Sequence, residues 1–300
     1  MRPALGSFVL LFTVACSTGT DPVELPVQSD FSFSKVNDPG RVDLIGSADL
    51  IVDSKTTQNH WLVRDEFLPA DFCSVIEGGI TPGNRRLLRF TVTTPNVGDA
   101  DVFVGSPLQD YLNNGGLFEL STCHDHFHFK HYATYKLIDA NTGHVWKSAK
   151  RGFCMLDTDP NPAWLGEPPE GDRNFYNCGT LSRDGFQGIS HGWSDTYVLW
   201  LGGQYFVLDG GDGQPVVPPG DYIIEVEVNP PFAPPAGGCP RVTNPANGQC
   251  HQFAESDYTN NVGRAYITIP SHVGREGYGP DKNSNFKITR ASEIDHNSKN

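Results

Sequence analysis

Nowhere do these 300 residues carry an apolar run long enough to cross a ~30 Å hydrocarbon core, which takes about 20 residues as a helix. No window keeps a helical hydrophobic period over twelve residues, which excludes a helical bundle. Basic residues are scarce beside acidic ones, 22 against 35, for a formal charge of −13. That deficit excludes tracking a nucleic-acid backbone, where Lys and Arg must displace counterions, and it suits cationic partners instead. No two cysteines have CxxC spacing, so a zinc ribbon or thioredoxin-like motif is excluded. There is no internal repeat.

Glycine and proline, by contrast, are abundant. Together, 32 and 23 residues fill 55 of the 300 positions, about 18% against a usual ~12%. Short apolar stretches at 87–93, 132–138, 196–201, 222–228 and 265–269 alternate with turn signals such as Pro218-Pro219-Gly220 and Asn260-Asn261. The pattern predicts an all-β, Ig-like β-sandwich with long loops, chiefly 157–193 and 229–256, and little helix. The expected organisation is a signal peptide at 1–15, a polar tether at 16–42, one domain at 43–270 and a polar, disordered tail at 271–300. The first run, Phe8 to Ala15 after Arg2, has the length of a signal-peptide core, which implies export. It ends at Ala15-Cys16 in a pattern that resembles a bacterial lipobox, so Cys16 is expected to carry a lipid anchor to the cell envelope; ordinary cleavage nearby is the alternative.

Seven cysteines are odd in number, and a lipidated Cys16 leaves six for three disulfides in an oxidising compartment. Cys239 and Cys250 flank a Pro/Asn/Gly loop and are expected to close it. The densest chemistry lies in Cys123-His124-Asp125-His126-Phe127-His128. On an extended strand His124, His126 and His128 share one face, about 7 Å apart, with Phe127 and Phe129 on the other. Three imidazoles form a nitrogen-rich site suited to Cu(II), Zn(II) or non-haem iron, and an open fourth position makes such a site catalytic. Edge-strand surface histidines are the bland alternative. Two other motifs carry less. Gly188-Ile189-Ser190-His191-Gly192 matches a nucleophile elbow, but a strand pattern rather than a helix follows. Asp209-Gly210-Gly211-Asp212-Gly213 lacks the full EF-hand pattern and reads as a turn.

The C-H-D-H-F-H stretch resembles the copper-binding signature of the lysyl oxidase family. Further matches follow in the same order: Arg86-Leu87-Leu88-Arg89-Phe90 upstream, then Lys150-Arg151-Gly152-Phe153-Cys154, Ser194-Asp195-Thr196-Tyr197, Pro219-Gly220-Asp221-Tyr222 and the E-S-D-Y-T-N-N run at 255–261. The resemblance implies His124, His126 and His128 as Cu(II) ligands, and a lysine tyrosylquinone made from Lys150 and Tyr197. It implies oxidation of primary amines, with lysine side chains of proteins or peptides as candidates, by O2 to aldehydes, H2O2 and ammonia. As general base Asp195 is nominated, two residues before Tyr197, with His191 as runner-up. Family-like pairing implies Cys123–Cys178, which leaves Cys73 and Cys154 for each other. Trp193 stands where animal members have a cysteine. A fold can outlive its chemistry, so a non-catalytic copper- or zinc-binding envelope lipoprotein is the competing reading.

Overall fold

A computed structural model describes residues 47–150, 152–165, 172–275 and 289–290. The signal peptide, the tether and Cys16 lie outside the described residues. Among those described, no helix is long and apolar enough to cross a membrane.

The alternation read in the sequence becomes strands, and the fold is all-β and disulfide-stapled, as expected. The first third contains α1 (Ser54–Asn59), β1 (Trp61–Leu68), α2 (Cys73–Gly78), β2 (Gly83–Phe90), β3 (Val92–Pro95), β4 (Val102–Gly105) and α3 (Pro107–Leu112). The middle runs through β5 (Phe118–Ser121), β6 (His126–Phe129), β7 (Ala133–Asp139), β8 (Val145–Lys147), β9 (Asp159–Pro160), β10 (Gln187–Ile189) and β11 (Trp193–Tyr197). Then follow β12 (Tyr205–Val207), β13 (Gly220–Val228), β14 (Val242–Thr243), β15 (Cys250–His251), β16 (Val262–Ile269) and β17 (Thr289–Arg290).

Two four-stranded sheets, ordered β16-β13-β7-β8 and β12-β2-β1-β17, contribute to one apolar core. In β13 and β16 every second residue is buried, because a pleated strand turns successive side chains to opposite faces. Ile224, Val226, Ala265 and Ile267 thereby share one core with Leu88, Phe90 and Phe206 of the other sheet. The Phe90 and Tyr135 rings touch edge-on across that core, with centroids 5.5 Å apart. A three-stranded sheet, β3-β11-β9, carries Tyr197 opposite Val92. Thr289 and Arg290, inside the stretch expected to be a tail, pair parallel with Glu66 and Phe67.

Arg89 shows why the R-L-L-R-F strand matters to what lies near it. Fully buried, it bonds Glu66 at 2.8 Å and donates to the Leu199 carbonyl at 2.9 Å. It thus fixes the turn after Tyr197. That turn corrects the expected strand at 196–201: the strand starts earlier, at Trp193, and stops at Tyr197, where the Leu201 amide turns back to Val198.

Two disulfides also correct the expectation. Cys73 bonds Cys123, and Cys154 bonds Cys178; Cys123–Cys178 and Cys73–Cys154 do not form. The reason is packing. Helix α2 lies beside the 122–125 turn, with Cys73 and Cys123 Cα atoms 5.5 Å apart. Meanwhile Asp157 holds the Asn174 and Phe175 amides, drawing 174–178 alongside 154–157. Cys239–Cys250 closes its loop as expected.

Candidate functional site

The histidine motif does not form one continuous strand. Strands β5 and β6 make a hairpin, Ser121 opposite His126 and Glu119 opposite His128, and residues 122–125 are its turn. Only His126 and His128 are on the strand. His124 belongs to the turn, and Asp125 takes φ +54°, a left-handed conformation that short polar side chains tolerate. This corrects the expected three-on-a-face arrangement. The three rings nevertheless converge, with centroids 5.0 to 5.4 Å apart and one donor atom from each within 4.8 Å of the others. Phe127 and Phe129 point into the core, as the alternation predicts.

Segment 150–154 is laid against this hairpin by an isolated bridge between Phe129 and Phe153, the Phe129 amide donating to the Phe153 carbonyl at 2.7 Å. Gly152 comes so close that a Cβ there would fall 1.9 Å from His128 Nδ1. Only a residue without a side chain leaves that imidazole its place. Gly203, at φ +70°, abuts the backbone of Ala149 and Lys150 from the other side. Between these backbones Lys150 is half-buried, its Nζ donating to the Gly202 carbonyl at 3.4 Å.

Lys150 Nζ also stands 5.3 Å from the centre of the Tyr197 ring and 5.6 Å from that of Phe153. Tyr197 is fully buried against Phe153 and Tyr132, and its hydroxyl donates to the Cys154 carbonyl at 2.9 Å. Burial, reinforced by the charge of Asp195, pushes the Tyr197 phenol well above its ordinary value. The same two causes act on Tyr132 and Tyr135. Asp195 is itself fully buried on β11. Glu77, Ser74, His124, His128, Lys150 and Gly152 line a shared pocket. The two residues expected to couple, 47 positions apart in sequence, are therefore side by side, and the lysine opens onto the pocket that holds two of the histidines.

His191 is elsewhere. Its Nδ1 lies 3.5 Å from Asp101, whose carboxylate also accepts from the His191 amide at 3.0 Å. Ser190, the middle of the elbow-like motif, bonds Asp157 and precedes β11 rather than a helix. Asp209 and Asp212 both pair with Arg85 at 3.1 Å, so the aspartates of that turn serve an arginine.

The lysyl oxidase family model matches residues 71–236, more than half of the chain. The chain belongs to the lysyl oxidase family. Protein-lysine 6-oxidase from Homo sapiens is 31% identical over 191 residues, 63% of this chain and 35% of that protein. Lysyl oxidase homolog 3B from Danio rerio is 27% identical over 236 residues, 75% of this chain and 24% of that protein. Lysyl oxidase homolog 2 from Bos taurus is 27% identical over 235 residues, 77% of this chain and 25% of that protein. The chain thus spans about a quarter to a third of the length of these curated relatives.

Sequence reasoning missed Glu77 in the pocket lining and the close approach of Gly152 to His128. Gly152 stood inside the quoted K-R-G-F-C motif, but a close approach is visible only in three dimensions. Glu77 had a signal, its place one helical turn after Cys73, which becomes informative once Cys73 is known to bond Cys123.

Proposed function

We propose that this chain is a copper-dependent amine oxidase with a lysine tyrosylquinone cofactor formed from Lys150 and Tyr197. The reaction is oxidation of a primary amine, R–CH2–NH2 + O2 + H2O giving R–CHO + NH3 + H2O2, with peptidyl lysine among the candidate substrates. The observation that carries this reading is the contact between Lys150 and Tyr197, with Lys150 opening onto the pocket that His124 and His128 line.

The residues present fit the metal. Three imidazole donors within 4.8 Å match a copper site, and the missing Cβ at Gly152 makes room for one of them. His124, His126 and His128 would hold Cu(II), and Lys150 and Tyr197 would provide the quinone, which together would supply the redox chemistry for amine oxidation with O2. The protein's part is placement and proton control. Tyr132, Phe153 and the core behind them keep water from the Tyr197 ring. The Cys154 carbonyl holds the Tyr197 hydroxyl proton and sets the ring's orientation. The Gly202 carbonyl steadies Lys150 Nζ over that ring. Asp195 is the general base in this reading, taking the proton from the substrate carbon bearing nitrogen; His191, paired with Asp101, is not retained for that task.

Three disulfides accord with maturation in an oxidising compartment, and export with lipid on Cys16 belongs to the same proposal. The competing reading, a metal-binding envelope protein without oxidase activity, draws on the neutral, hydrogen-bonded state of the buried Tyr197 phenol.

Amine-dependent peroxide release separates the two. Copper-replete protein matured in air should release peroxide with a primary amine, and Tyr197→Phe should abolish it. Asp195→Asn should lower kcat by about 10²- to 10⁴-fold, as expected for loss of a general base. Peroxide release that survives Tyr197→Phe contradicts the reading.

A further inference from the structure

Among the described residues lining the pocket, Glu77 supplies the one carboxylate. It stands in the last turn of α2, four residues after Cys73 and so on the same helix face. Cys73 is bonded to Cys123, the residue immediately before His124. The disulfide therefore locks the helix that carries Glu77 onto the turn that carries His124.

The contacts close on themselves. Glu77 Oε2 lies 3.5 Å from His124 Nδ1, a buried nitrogen with no hydrogen-bond partner among the described residues. The other oxygen, Oε1, accepts from the Ser121 hydroxyl. That hydroxyl in turn accepts from the His124 backbone amide at 3.0 Å. Glu77 and His124 are thus tied together through both the side chain and the main chain. His124 needs such support more than its two companions, because it lies outside the β5–β6 ladder that holds His126 and His128.

We propose that Glu77 is a positioning residue of the metal site, acting through His124. A carboxylate facing Nδ1 favours the tautomer that keeps the proton there and leaves Nε2 for the metal; it also limits rotation of the ring and makes the ligand more basic. The Cys73–Cys123 disulfide then has a task beyond stability, which is to keep the carboxylate at that distance. This inference rests on the reading of the triad as a copper site.

The test is Cu(II) binding to the metal-free full chain under anaerobic conditions, so that no residue is oxidised. Affinity is read by competition with a chromophoric chelator, and the donor set by electron paramagnetic resonance. Wild type should bind one Cu(II) with nitrogen hyperfine structure. Glu77→Gln, which keeps the shape and removes the charge, should weaken binding about 10- to 100-fold with the same nitrogen donors. Ser121→Ala, which frees the Glu77 side chain, should weaken it in the same direction by less. An affinity for Glu77→Gln within twofold of wild type overturns the role of Glu77 and leaves the copper reading standing. So does a changed donor set, the mark of a lost direct ligand. Wild type that binds no Cu(II), or binds it equally well after His126→Ala, overturns the copper reading itself and this inference with it.

Discussion

Lys150 Nζ and the Tyr197 ring approach because glycines on two sides give the chain room. Gly152 passes His128 at a distance that a side chain would not allow, and Gly203, at φ +70°, passes the backbone of Lys150 where a Cβ would sit 3.2 Å from its Cα. The residue with the sharper consequence is Gly152. A Cβ at 1.9 Å from His128 Nδ1 overlaps the imidazole outright, so the ring must leave its place. Gly152→Ala should therefore fold with its disulfides intact yet retain less than half an equivalent of copper after dialysis, measured by elemental analysis. Full stoichiometry in that variant would show that His128 is not held where the gap implies.

Among the elements, R-L-L-R-F is the one whose sequence match and structural task can be compared directly. Arg89 spans from β2 to Glu66 on β1 and to the Leu199 carbonyl in the turn after Tyr197. Replacing it with Ala leaves Glu66 buried with Arg64 at 2.9 Å as its remaining ion pair among the described residues. The expected loss is about 3–5 kcal/mol of stability, typical of breaking a buried pair, read by denaturant unfolding; a loss within 1 kcal/mol would mean that Arg64 takes over. Strand existence was legible in the sequence because burial alternates along β13 and β16. Strand ends were not. Period-two alternation presumes extended backbone, and the left-handed Asp125 breaks it between His124 and His126. The triad was therefore visible as a cluster, while its geometry, two histidines on a strand and one on a turn, was hidden. Disulfide partners were hidden for a related reason. Cys239 and Cys250 are separated by 11 residues and close a local loop, whereas Cys73–Cys123 depends on where α2 packs. Glu77 shared that fate, since its relation to His124 runs through the disulfide.

For the molecule as a whole, the buried acids set how stability responds to pH. Glu255 accepts hydrogen bonds from Asn229, Asn261 and the Leu50 amide, yet burial pushes its pKa from 4.5 up to about 7. Asp157 is pushed the same way, to about 6, also by burial. A carboxyl whose folded pKa exceeds its unfolded value favours folding while protonated and opposes it as pH rises past the unfolded value. Stability should thus fall between about pH 4.5 and 7, with Glu255 contributing up to about 3 kcal/mol from its shift. Thermal unfolding across that window should show a decline that flattens in Glu255→Gln. The central claim is chemical. Copper-replete chain, matured in air and digested, should yield by mass spectrometry a covalent peptide pair joining Lys150 to Tyr197, absent when copper is withheld. Recovery of both peptides wholly unmodified from copper-loaded protein would contradict the oxidase reading.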